Sequence, residues 1–209
     1  MLAALAANAQ TKPAESGFLK DYSQLAAAKD REGIWMFVDK STDYRSFTKV
    51  MFDPVEVILA PNPDYKGVQP DALKRMTDNM LASFTKALQP DYTVVASPGP
   101  DVLRVRLALT GVQPAKPPTS VTDFIPIKAV FNVARAAAGA APTVAEMSAE
   151  MEVLDPQGKR VAAATATRKG DKTLKQGEAI QWSDLQATSD YWAKGFRQRL
   201  DEVRGIAGR

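Results

Sequence analysis

Residues 102–112 read VLRVRLALTGV. Leu103, Val105, Leu107 and Leu109 share one parity; Arg104, Arg106, Ala108 and Thr110 share the other. Successive side chains of a strand point to opposite faces, so a period of two describes a ribbon with one apolar and one wet side. The same pattern returns at Met147–Asp155, where Met147, Ala149, Met151 and Val153 alternate with Ser148, Glu150 and Glu152. Asp155-Pro156-Gln157-Gly158 then places proline at the second position of a tight reversal. Arg160–Arg168 reads as the return strand. Upstream, Tyr92–Ser97 is a strand ended by the turn Pro98-Gly99-Pro100-Asp101, which predicts a hairpin with 102–112. The run 55–60 (VEVILA) is a buried strand stopped by Pro61 and Pro63, and 34–38 (IWMFV) is a short apolar run.

Two segments carry the helical period. Within 70–88, Leu73, Met76, Met80, Leu81, Phe84 and Leu88 recur at three- and four-residue steps, with Pro70 at the start and Pro90 as a stop. The Met76/Met80 stripe reads as core filling rather than a soft metal pair. The last helix starts at Ser183, where Gln186 completes a capping box. Leu185, Trp192, Phe196, Leu200 and Val203 form its apolar face, and Lys194, Arg197, Arg199 and Arg204 load its polar side. Near the N-terminus, Phe18, Leu19, Tyr22 and Leu25 predict a short helical turn docked on the body. Together these elements predict an α+β fold: a two-layer sandwich with a mostly antiparallel sheet of about 4–5 strands and two amphipathic helices on one face.

Residues 113–145 interrupt this rhythm with three prolines in 113–118, the apolar Phe124-Ile125-Pro126-Ile127, and an alanine-rich stretch holding Val130 and Phe131. So long an excursion in a compact domain is a functional or disordered insertion. The candidate interaction surface is Phe124, Ile125, Ile127, Val130 and Phe131, joined by Arg104 and Arg106 on the open strand face, where an anion site competes with an ordinary solvated face. The expected organisation is a signal-like or disordered segment and linker over 1–15, then one domain over 16–209 with its insertion at about 113–145.

Composition removes whole classes of chemistry. The 209 residues contain no histidine and no cysteine, so no imidazole base, thiolate nucleophile, disulfide or cysteine/histidine zinc site is available. Twenty-seven basic against 24 acidic residues give +3, too mild for a nucleic-acid partner. No phosphate-cradling glycine loop and no apolar stretch of membrane-spanning length is present. Glu150 and Glu152 share a strand face, which is not the defined separation across a cleft that a glycosidase pair needs. No metal or cofactor is expected. The opening MLAALAANAQ is apolar and ends Ala7-Asn8-Ala9, like the end of an export signal.

Several landmarks also resemble a known group. Ser16-Gly17-Phe18-Leu19, Asp21-Tyr22-Ser23, Tyr44, Phe52-Asp53-Pro54-Val55, Gly99–Arg104, Ala149–Gly158, Trp182-Ser183-Asp184 and Tyr191-Trp192-Ala193 match, in order and spacing, a proteobacterial putative-lipoprotein family, domain-of-unknown-function family 3313. The resemblance implies an exported protein of the periplasm or outer membrane with no established activity. It departs where a lipidated cysteine would follow a Leu-Ala-Ala tripeptide: Leu5-Ala6-Ala7 is followed by Asn8, and Leu2-Ala3-Ala4 by Leu5. The expectation is therefore a chain that carries no lipid anchor.

The leading expectation is a non-enzymatic envelope protein, without a transmembrane segment but near a membrane, that contacts an envelope protein or a second copy of itself through the insertion or a sheet edge. The alternative is a binding module for a lipid or glycan, with Trp35, Trp182, Trp192, Tyr22 and Phe18 lining a groove. A Ser/carboxylate hydrolase is the third reading, with no nucleophile elbow or Ser-x-x-Lys motif behind it.

Overall fold

The computed structural model describes residues 14–58, 70–115, 143–174 and 182–206. In chain order the elements are β1 (Ala26–Ala27), β2 (Ile34–Val38), a 3₁₀ turn (Tyr44–Ser46), β3 (Lys49–Phe52), β4 (Glu56–Val57), α1 (Pro70–Leu88), β5 (Thr93–Val94), β6 (Val102–Ala115), β7 (Thr143–Leu154), β8 (Arg160–Leu174) and α2 (Trp182–Arg204). They make one eight-stranded sheet in the order β1-β2-β8-β7-β6-β3-β5, with β4 also on β6.

The long alternating segments behave as their pattern dictates. β6, β7 and β8 pair antiparallel, with Val105 opposite Val153, Leu107 opposite Met151 and Leu109 opposite Ala149. The register shifts between Leu109 and Gly111, which carries the ribbon past Thr110 without losing the apolar face. At the β7–β8 reversal the Asp155 carboxylate accepts from the Gln157 and Lys159 amides, the local hydrogen bonding that makes aspartate a turn residue.

Two expectations about the sheet are corrected. It is larger than 4–5 strands, and it is mixed: β3, β4 and β5 all run parallel to their partners. Tyr92–Ser97 supplies only Thr93–Val94, which pairs with β3 and not with the following strand. The physical cause is α1. A helix between β3 and β5 is a crossover, and a crossover returns the chain parallel to where it left. The segment 18–25 also differs, docking through bends rather than a helical turn.

Both helices pack on the face of Leu103, Val105, Leu107 and Leu109. α1 contributes Met76, Met80, Phe84 and Leu88, and α2 contributes Leu185, Trp192, Phe196 and Leu200. Phe52, Phe84 and Phe196 knit the two layers, with the Phe84 and Phe196 centroids 5.8 Å apart. Arg197 fastens the helices together: its guanidinium donates to Asp201, to Asp91 and to the Leu88 carbonyl that ends α1. Tyr92 donates to the same Asp201 at 2.6 Å. On the far side Tyr44 donates to the Val161 carbonyl at 2.6 Å.

Burial disfavours both phenolates, and the Asp201 bond adds to the effect at Tyr92, so each tyrosine is pushed up to about 12. An unfolded tyrosine titrates near 10. A raised native value means the folded state holds its proton more tightly, so the stabilisation is complete below about pH 10 and is lost as pH climbs through about 12. Urea unfolding across that window is expected to show falling stability, with a shallower fall in Tyr44→Phe. Complete tyrosinate absorbance near pH 10 in the folded protein would contradict it.

Candidate functional site

The two faces of the sheet are built differently. On the face opposite the helices, the N-terminal segment lies across the strands as a strap. Phe18, Leu19, Tyr22 and Leu25 bury against Ala108 and Ala163, beside Trp35, Phe37 and Ile58. The sequence allots this face to polar residues, and the strap satisfies several of them. Glu150 is only 2% exposed. It accepts from the Tyr22 hydroxyl at 2.7 Å and from the Ser16 amide at 3.1 Å. A buried carboxylate without donors would be costly, so these bonds hold strap and sheet together. Burial raises the Tyr22 hydroxyl above its usual range, and the Glu150 bond adds to this.

The two sequence-predicted arginines sit on this same face. Arg104 makes a forked contact with Asp53, and Arg106 donates to Glu152 at 2.6 Å and to Glu56 at 3.1 Å. Arg106 also stacks over Phe18 at 4.7 Å, and Arg160 joins Glu152 to the Asp21 carbonyl. Glu150 and Glu152 are thus acceptors in a closed network, and the arginines are partnered within the chain rather than presented to an anion. Phe124, Ile125, Ile127, Val130 and Phe131 lie outside the described residues, as does the Trp182 side chain.

The helix-covered face holds what the sequence did not reveal. β8 presents Ala162, Ala164 and Ala166 to α2, opposite Val153, Met151 and Ala149 on β7, and β2 adds Ile34, Met36 and Val38. Alanine methyls are too short to meet a helix propped by Trp192 and Phe196. The result is a half-open apolar cavity of about 110 Å³. Its lining includes the partly exposed Ile34, Met36, Val38 and Val203, so it reaches the surface beside the uncovered end of the sheet. The motif that could have flagged it is the alternation of alanines in 162–166, where a strand of core position carries almost no volume.

The mouth is basic. Arg31 and Arg199 both line the cavity. Arg31 crosses α2 at Gly195, where a Cβ would overlap its guanidinium, so the helix needs glycine at this point for the arginine to lie there. Arg31 donates to Gln198 and lies 3.7 Å from Asp30, whose other oxygen is taken by Arg199. Tyr191 stacks under Arg168 at 4.2 Å and near Arg31 at 5.5 Å. Trp192 lines the interior, and its indole N–H has no acceptor among the described residues. No group of three or more carboxylates suited to a metal occurs among the described residues, and no described helix is long and apolar enough to cross a membrane.

A mixed sheet with two helices on one face, a strapped polar face and a half-open apolar cavity under the second helix defines an α+β protein. The chain belongs to the DUF3313 family of proteins of unknown function, whose model matches residues 14–196. An uncharacterized lipoprotein of Escherichia coli K12, YdcL, is 25% identical over 191 residues, covering 90% of this chain and 81% of its own length. Such relatives are consistent with an exported envelope lipoprotein of unknown function, and they lend no support to the expectation that this chain lacks a lipid anchor. Among solved structures, the PelC dodecamer of Paraburkholderia phytofirmans aligns at TM-score 0.43 and 11% identity over 84% of this chain and 98% of its own. A DUF4136 family protein of Bacteroides thetaiotaomicron aligns at TM-score 0.41 and 11% identity, over 90% of this chain and all of its own (100%).

The strap is directly testable. Tyr22→Phe removes the phenol that reaches Glu150 and is expected to destabilise by about 1–3 kcal/mol, as for a buried acceptor losing a donor. Urea denaturation measures the loss, and limited proteolysis should show cleavage within 14–25 appearing first. An unchanged midpoint with unchanged protease resistance would mean the strap is not held this way.

Proposed function

We propose that this protein is a non-catalytic envelope protein of the lipoprotein type that binds a small apolar ligand in the cavity between α2 and β8. The cavity is the observation that carries the reading. Protein interiors pack to crystal density, and voids larger than a water molecule are few. Three alanines in a row of inward positions, a glycine in the facing helix and a surface opening are the ingredients of a binding cleft. An apolar cavity of comparable size, about 150 Å³, stays dry and takes up benzene.

The protein-interaction reading loses its two charged candidates among the described residues. Arg104 and Arg106 are held by internal carboxylates. The two end strands, β1 and β5, are two residues each, too short to template a partner strand. The hydrolase reading loses its carboxylates to the strap and the arginine network.

Octanol is a suitable neutral probe. Titration followed by methyl NMR is expected to give saturable shifts at Met36, Ala164 and Val203. Ala164→Leu fills the space and should abolish them while leaving thermal stability equal or higher. Saturable shifts persisting in Ala164→Leu, or none in the wild type, would defeat the reading.

A further inference from the structure

We propose that the ligand is a single alkyl chain ending in a carboxylate, with Arg31 reading the head; this rests on the cavity being a ligand site. Arg31 is the most enclosed cation at the mouth, its side chain only 14% exposed against 31% for Arg199. A guanidinium carries five donors in a fixed fork matched to a carboxylate. Among the described residues its partners are the neutral Gln198, the Tyr191 ring at 5.5 Å and one carboxylate, Asp30, at 3.7 Å. Asp30 is itself half exposed and already bound by Arg199. Arg31 is therefore desolvated but weakly neutralised, a state that an incoming anion relieves.

The position suits that task. Gly195 lets the guanidinium sit against the helix backbone, at the boundary between apolar lining and solvent. One turn earlier on α2, Trp192 lines the apolar space that a chain entering past Arg31 would occupy. The head should be compact and singly charged, because Asp30 and Glu202 stand at the same rim with Arg199 and would repel a dianion. The cavity volume limits the seated part of the chain to a short run of methylenes, the remainder lying along the partly exposed β2 residues Ile34, Met36 and Val38.

Octanoate and octanol, matched in chain and differing in head, separate the two layers of the proposal. Calorimetric titration of the full chain is expected to show octanoate binding about tenfold tighter than octanol, the worth of one charge-assisted hydrogen-bonded contact. Arg31→Gln should bring the octanoate-to-octanol affinity ratio to within about twofold. Gly195→Ala, which keeps the charge but displaces the guanidinium, should do the same, with circular dichroism verifying the fold of both variants. Equal binding of octanoate and octanol by the wild type would overturn the carboxylate inference and leave the apolar-ligand reading standing. Binding of neither would remove both. Octyl phosphate outcompeting octanoate would refute the singly charged head, and an octanoate preference retained in Arg31→Gln would refute Arg31 as its reader.

Discussion

A slip of one residue in the β6–β7 ladder would turn one strand over, sending Leu107 to the strap side of the sheet and driving Arg106 under the helices. Everything else depends on that register being held. Two interactions on opposite sides of the same ladder hold it. On one side Leu103, Val105 and Leu107 meet Met80, Phe84 and Phe196 in the main core. On the other, Arg106 closes on Glu152, which Arg160 clamps from the neighbouring strand. Each side alone tolerates error, since apolar contacts are not directional and a charged pair can often find water instead. Together they admit one alignment, because a charge under the helices and a leucine beneath the strap are penalised at once.

The strap follows from the same polarity. A sheet with one wet face can be left to solvent, yet here that face carries Glu150 at near-complete burial. Chain 16–25 supplies the missing donors and, with Phe18 and Leu19, its own apolar cover. The polar face is therefore closed by the chain itself, and its charges are satisfied internally. The helix face is the one left incomplete. α2 crosses β7 and β8 but leaves β2 partly bare, and the smallest side chains of the sheet lie beneath its edge.

How legible this was in the sequence depends on the range of the physics involved. Helix 70–88, bounded by Pro70 and Pro90, and the 147–168 hairpin around Asp155–Gly158 rest on local chemistry, and both stand where the pattern put them. The parallel pairings of β3, β4 and β5 were missed because two to four residues carry no period of their own. The strand–helix–strand order around 49–94 was the available signal for a crossover. Arg104 and Arg106 stand on the polar face, but their partners Asp53, just after β3, and Glu56, in β4, lie 51 and 50 residues away, beyond reach of spacing arguments. The cavity was least visible of all. Ala162, Ala164 and Ala166 announce a strand by their alternation, whereas the emptiness they leave exists only once Gly195 and Trp192 are set opposite them.

That last point explains why the mouth, rather than the interior, should decide which ligand is taken. An apolar lining of alanine, methionine and phenylalanine discriminates little between chains, since one methylene more or less is worth only about 1 kcal/mol. Discrimination has to come from directional groups, and those stand at the rim. Of these, Arg199 is pinned by Asp30 and Glu202, and Tyr191 lies beneath Arg168. Arg31 is held chiefly by neutral groups, the Gln198 amide and the Tyr191 ring, where α2 has no side chain at Gly195. A glycine inside a helix gives up about 1 kcal/mol relative to alanine. Retaining it at the single point where the guanidinium crosses makes physical sense if the placement of that guanidinium, and not the stability of the helix, is what the position serves.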